Sequence, residues 1–107
     1  MRDYNTNLNG DAWQTNAINT VWKKGLYIPG QDTNKFRKDK YGSIMEFARF
    51  GDTTHEYGWE IDHIMPVENG GTDELSNLQP LQWENNRKKS LEIPQSFKMT
   101  GNYFHKL

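Results

Sequence analysis

The feature that most limits what this chain can fold into is the order of three segments: WEIDHI, LQPLQ and WENNRKKSLEI. The first reads as a strand, with Trp59 and Ile61 on one face and Glu60 and Asp62 on the other, and Pro66 stops it. ENGGTDELSN then reads as a loop containing a double-glycine turn. LQPLQ is a short extended piece that Pro80 confines to a sheet edge. WENNRKKSLEI follows as a helix of about three turns, ended by Pro94. The order is strand, loop, short strand, helix.

Upstream the signals are weaker. Residues 1 to 11 read as a loose, Asn-rich arm. Trp13, Ala17, Ile18 and Val21 recur at helical spacing after Asp11, which predicts a short helix with Asp11 as N-cap, ending by Gly25. Pro29, Gly30 and Gly42 mark the segment up to residue 42 as irregular. SIMEFARF fits a helix through the Ser43 and Glu46 capping box, yet its aromatics and flanking glycines favour a strand. Residues 94 to 107 form a tail with scattered aromatics.

A chain of 107 residues holds one small domain, and with 34 % hydrophobic residues its core must be modest. Four Trp, five Tyr and five Phe supply much of it, with Trp59 and Trp83 read as core rather than as base-stacking platforms. With no cysteine, a disulfide framework, a thiolate nucleophile and Cys-ligated zinc are all excluded. The opening MRDYNTNLNG has no apolar stretch, so the expectation is a cytoplasmic protein without a membrane span. The net charge of −1 does not advertise nucleic-acid binding, but its distribution is uneven. Six bases and two acids lie between Val21 and Lys40, and eight acids face only Arg49 between Glu46 and Glu74. From Asn86 onward five bases face one acid. Such a pattern fits a cation site inside a polyanion-binding surface, or simply solvated charged faces.

The acidic stretch holds the chemistry. Asp62 and His63 are neighbours and should diverge on a regular strand, but Ile64 falls on the acidic parity. The pattern predicts a bulge or strand end between Asp62 and Ile64 that would bring both side chains to one cleft. Asn86 sits one turn into the following helix with its side chain leaning back toward the helix start. A carboxylate and an amide oxygen make a sparse oxygen site, which magnesium tolerates by keeping waters and taking substrate phosphate.

Residues 60 to 90, EIDHIMPVENGGTDELSNLQPLQWENNRKKS, resemble the HNH endonucleases and their ββα-metal fold. The shared elements are the Asp-His-Ile run, Pro66, the double glycine, Asn-Leu-Gln and the Asn-Arg-x-Lys helix. The spacing is fourteen residues from His63 to Asn77 and nine from Asn77 to Asn86. The resemblance implies Asp62 and Asn86 as ligands of a divalent metal, Mg²⁺ or Mn²⁺. It also implies His63 as the general base and Asn77 as the catalytic-site residue that braces the loop. Asn77 also fits a plain turn residue. Arg87, Lys88 and Lys89 either hold DNA phosphates or complement the helix dipole. Glu60 supports the site or is a surface acid, and His55 and His105 are assigned nothing. Many HNH proteins carry CxxC pairs that hold structural zinc; here Gln82 and Asn85 stand where one pair would be, so no structural zinc is expected.

The expectation is a small α+β protein, one HNH nuclease domain over 1–107 with a metal-dependent activity on DNA. Residues 1–42 are its accessory segment, 43–93 its ββα-metal core and 94–107 its C-terminal tail. Its rivals are a non-catalytic DNA-binding relative and a nuclease toxin domain held by an immunity protein. DNA is the expected partner, with an immunity or accessory protein as a second one.

Overall fold

The computed structural model describes residues 2–91. Helix α1 (Thr15–Trp22) buries Val21 and Trp22. It starts later than the sequence suggests, because Asp11 is not its cap. The Asp11 amide donates to Asn7 Oδ1 at 2.9 Å and its carbonyl accepts from the Asn7 amide at 2.8 Å, which commits Asp11 to a turn. Gln14 takes the N-cap position instead.

The segment expected to be irregular contains a strand. β1 (Phe36–Lys38) pairs antiparallel with β2 (Ile44–Glu46), so SIMEFARF is half strand and then a single turn of 3₁₀ helix, Phe47–Arg49. β3 (Trp59–His63) and β4 (Leu78–Gln82) form a second antiparallel pair, in register from Trp59 opposite Gln82 to His63 opposite Leu78. The register explains Pro80. It stands opposite Ile61 at a position whose amides point away from the partner strand, so its missing N–H costs no ladder bond. The outward Ile61 amide donates instead to Asn5 Oδ1 at 2.8 Å. Helix α2 (Trp83–Leu91) follows β4 directly. The result is a mixed α+β fold carrying the expected strand, loop, strand and helix, with α1 and the β1–β2 hairpin added. Residues 92 and 93 of the expected helix, the tail 94–107 and His105 lie outside the described residues.

The core lies between α1 and the β3–β4 pair. Val21, Trp22, Met45, Trp59, Ile61 and Leu78 are buried together, and the Trp22 and Trp59 rings approach to 5.0 Å. Each aliphatic side chain so removed from water contributes roughly 1.5–3 kcal/mol. Trp59 is core as expected, whereas Trp83 is half-buried and donates its indole N–H to the His55 carbonyl at 2.9 Å.

Helix α2 buries Asn86 and no apolar side chain, so polar contacts hold it. The buried carboxylate of Asp39 supplies one of them, to Asn85. It accepts from the Tyr41 and Ser43 amides at 3.0 Å each, from the Gln82 amide at 3.0 Å and from Asn85 Nδ2 at 2.8 Å. Gln82 and Asn85 are thus tied to the β1–β2 turn through an acid.

The loop between β3 and β4 explains its double glycine. Gly70 has φ +94°, and a Cβ on Gly71 would meet the Met65 carbonyl oxygen at 1.7 Å. Only glycine fits both places.

Candidate active site

β3 is regular through His63 and ends there, so the break expected between Asp62 and Ile64 is a strand end and not a bulge. Asp62 contacts α2 on one face of the strand, and His63 packs on the other face against Trp13, with ring centroids 5.5 Å apart. The two nevertheless line one cavity at the strand end, of about 340 Å³, together with Asn86, Lys89 and Ser90 of α2. Residues 2–6 of the N-terminal arm, with Pro66, Val67 and Glu68, complete its wall.

Glu60 organises the α2 side. It is almost fully buried, accepts Asn86 Nδ2 at 2.8 Å, and takes both ends of the Arg87 guanidinium at 2.6 and 3.1 Å. A carboxylate only accepts here, so the Asn86 amide must turn its nitrogen to Glu60. Asn86 Oδ1 makes no hydrogen bond among the described residues and stays available as a ligand. Arg87 in turn stacks over the Tyr4 ring at 3.5 Å, which docks the arm on the helix.

Asp62 is half-buried and paired. Gln79 Nε2 donates to it at 2.8 Å, and the Lys89 ammonium lies 3.2 Å away while also donating to the His63 carbonyl at 3.1 Å. Of the three expected phosphate contacts, Arg87 and Lys89 are therefore engaged with acids, and Lys88 is exposed. Asn77 closes the loop: its Oδ1 accepts from the Met65 amide at 2.8 Å, and its Nδ2 donates to the carbonyls of Met65 at 3.2 Å and Thr72 at 2.9 Å.

Two features escaped the sequence reading. Asp73, taken as an ordinary loop residue, lies with Oδ1 2.8 Å from His63 Nε2. The arm read as loose is an ordered turn in which Arg2 donates to the carbonyls of Thr6, Asn7 and Leu8.

Asp62 and Asn86 Oδ1 are hard oxygen donors in a cavity with room for several waters. They fit a cation that retains waters, and they do not fit a closed protein cage. Among the described residues no group of three His, Cys, Asp or Glu side chains is placed to hold a metal ion. Among the same residues no helix is long and apolar enough to cross a membrane.

Residues 49–92 match the family model for HNH endonuclease, a nuclease and DNA-binding family whose members generally use a divalent metal. The match spans β3, the glycine loop, β4 and α2, and the matched stretch contains no cysteine. No curated protein and no solved structure matches the chain.

Proposed function

From the HNH match over residues 49–92, we propose that the protein is a metal-dependent endonuclease that hydrolyses DNA phosphodiester bonds. The observation that carries this reading is the convergence of Asp62, His63 and Asn86 on one cavity, with the Asn86 amide oriented by Glu60. In this reading His63 is the general base. With Nε2 directed at Asp73, its Nδ1 is free to take a proton from an attacking water. Asp62 and Asn86 would hold Mg²⁺ or Mn²⁺. When bound, that ion supplies charge stabilisation at the phosphate and the leaving oxygen. Asn77 keeps the loop carrying Asp73 closed against the strand end, which holds the base in place. Lys88, exposed on α2, contacts backbone phosphate, whereas the charges of Arg87 and Lys89 are balanced by Glu60 and Asp62. The whole chain is read as one nuclease domain, with residues 1–42 as an accessory segment whose arm supplies part of the cavity wall.

A second reading, a DNA-binding relative without catalysis, draws on the Lys89 ammonium beside Asp62, a cation already seated at a proposed metal ligand. Supercoiled plasmid incubated with protein and Mg²⁺ or Mn²⁺ separates the two. Conversion to nicked or linear forms that chelator abolishes is the expected result. DNA retardation with no cleavage under any divalent ion would overturn the endonuclease reading.

A further inference from the structure

We infer that Asp73 is a positioning residue for His63, and that the N-terminal arm holds Asp73 in place through the Leu8 amide. The proposal rests on the endonuclease reading only where it concerns turnover. Its geometry stands on contacts within the chain. Asp73 Oδ1 is 2.8 Å from His63 Nε2, and the Leu8 amide donates to both Asp73 oxygens at 3.0 Å each. The His63 ring is 9 % exposed and packs against Trp13, and Asp73 is its one hydrogen-bond partner among the described residues.

The consequence is chemical. A carboxylate can only accept, so the neutral imidazole must carry its proton on Nε2. The lone pair is then on Nδ1, which has no hydrogen-bond partner among the described residues. Asp73 thus decides which nitrogen of His63 can act as the base. The Leu8 amide, shared between the two oxygens, holds the carboxylate facing the ring, which gives the arm a role in the site beyond walling the cavity. The arm's own order comes from Arg2, whose guanidinium caps three of its carbonyls, and from Asn5 on the Ile61 amide. Glu68 on the cavity rim has no comparable contact with the ring among the described residues.

The test uses the whole protein and two variants, Asp73→Ala and the isosteric Asp73→Asn. Long-range ¹⁵N–¹H correlation spectra of the metal-free protein report the tautomer without any substrate. The Nε2–H form should dominate His63 in the wild type and give way to a mixture in Asp73→Ala. In steady-state cleavage, Asp73→Ala should lose about 10–100-fold in kcat, the range typical for groups that orient a functional histidine, with KM changed less than about twofold. Asp73→Asn should fall between that variant and the wild type. Should Asp73→Ala not fold, Asp73→Asn carries both measurements alone. An Nδ1–H tautomer in the wild type, or kcat within about twofold of wild type in the folded variants, overturns the proposal. A loss that appears only in KM does so too, since it assigns Asp73 to substrate binding. Absence of any cleavage by the wild type overturns the endonuclease reading instead, and the tautomer spectrum still decides whether Asp73 governs His63.

Discussion

Replacing Asp39 by alanine removes the acid that ties β4 and α2 to the β1–β2 turn. Its carboxylate is 1 % exposed and accepts four N–H donors, from Tyr41, Ser43, Gln82 and Asn85. Hydrogen bonds to a charged acceptor are each worth about 1.5–3 kcal/mol net. They do not sum simply here. The Tyr41 and Ser43 amides are only partly buried and regain water, and Asn85 keeps its bond to Ser43 Oγ at 2.8 Å. The Gln82 amide is buried and loses its partner, at a cost of about 1–3 kcal/mol by itself. Relief of the buried charge offsets part of the total, leaving a loss of about 3–5 kcal/mol. Small domains have only about 5–15 kcal/mol to lose. With a urea dependence of about 1–3 kcal/mol per molar, the midpoint should fall by roughly 2 M. Urea titration followed by tryptophan emission reports it, since Trp22 and Trp59 pack together in the core. Asp39→Asn, which keeps the shape and one acceptor oxygen, should lose about half as much. A midpoint shift for Asp39→Ala that corresponds to less than about 1 kcal/mol would refute the argument that this acid ties β4 and α2 to the β1–β2 turn.

Three further outcomes follow from the proposed site. His63→Ala should cut cleavage by at least about a hundredfold while DNA affinity holds, because general-base catalysis is worth roughly 10²–10⁴-fold; a rate above about a tenth of wild type removes His63 from the chemistry. Lys88→Ala should weaken binding to all DNA sequences alike and reduce the slope of log affinity against log salt by about 0.9, measured by fluorescence anisotropy across a salt series. An altered sequence preference at constant slope would show that Lys88 reads bases. Chelator should abolish cleavage and leave the circular dichroism spectrum unchanged, since no cysteine is present to couple a zinc ion to folding.

The part of the fold legible in the sequence is the part whose signals are local. Pro66, Gly70, Gly71 and Pro80 act within a few residues of themselves, so β3, the loop, β4 and α2 could be placed. β1 has only three residues, and its register comes from Ile44–Glu46 across a turn, which no periodicity reveals. The helix start was misplaced because Asp11 has the composition of a cap, and the Asn7 side chain that captures it lies outside the helical pattern. Asp73 was invisible for a related reason. It meets His63 only after Gly71 and Asn77 have folded the loop back on Met65, a closure that depends on backbone contacts rather than on residue type. Glu60 could be read as facing α2 by its parity with Asp62, but its burial depends on Asn86 and Arg87 packing over it.

Lys89 offers the last prediction, because the sequence reading and the structure give it different partners. Read from the sequence it is one of three bases for phosphate; in the folded chain its ammonium lies 3.2 Å from Asp62, with both side chains about 14 % and 13 % exposed. Such a pair is weak as a source of stability, because desolvation opposes the attraction. Removing one partner is another matter, since it leaves a desolvated carboxylate in need of a cation. Lys89→Met keeps the length and apolar stem of the side chain and deletes the charge. A divalent ion reaching Asp62 then no longer displaces an ammonium, and Gln79 still orients the carboxylate. If the displacement costs about 1.4 kcal/mol, Mn²⁺ affinity of the DNA-free protein should rise about tenfold in Lys89→Met. Lys89→Arg, which retains the charge, should leave it near the wild-type value. The electron paramagnetic resonance signal of free Mn²⁺ measures this without reference to cleavage. Equal or lower Mn²⁺ affinity in Lys89→Met would show that the ammonium does not compete for Asp62, and would place the ion elsewhere in the cleft.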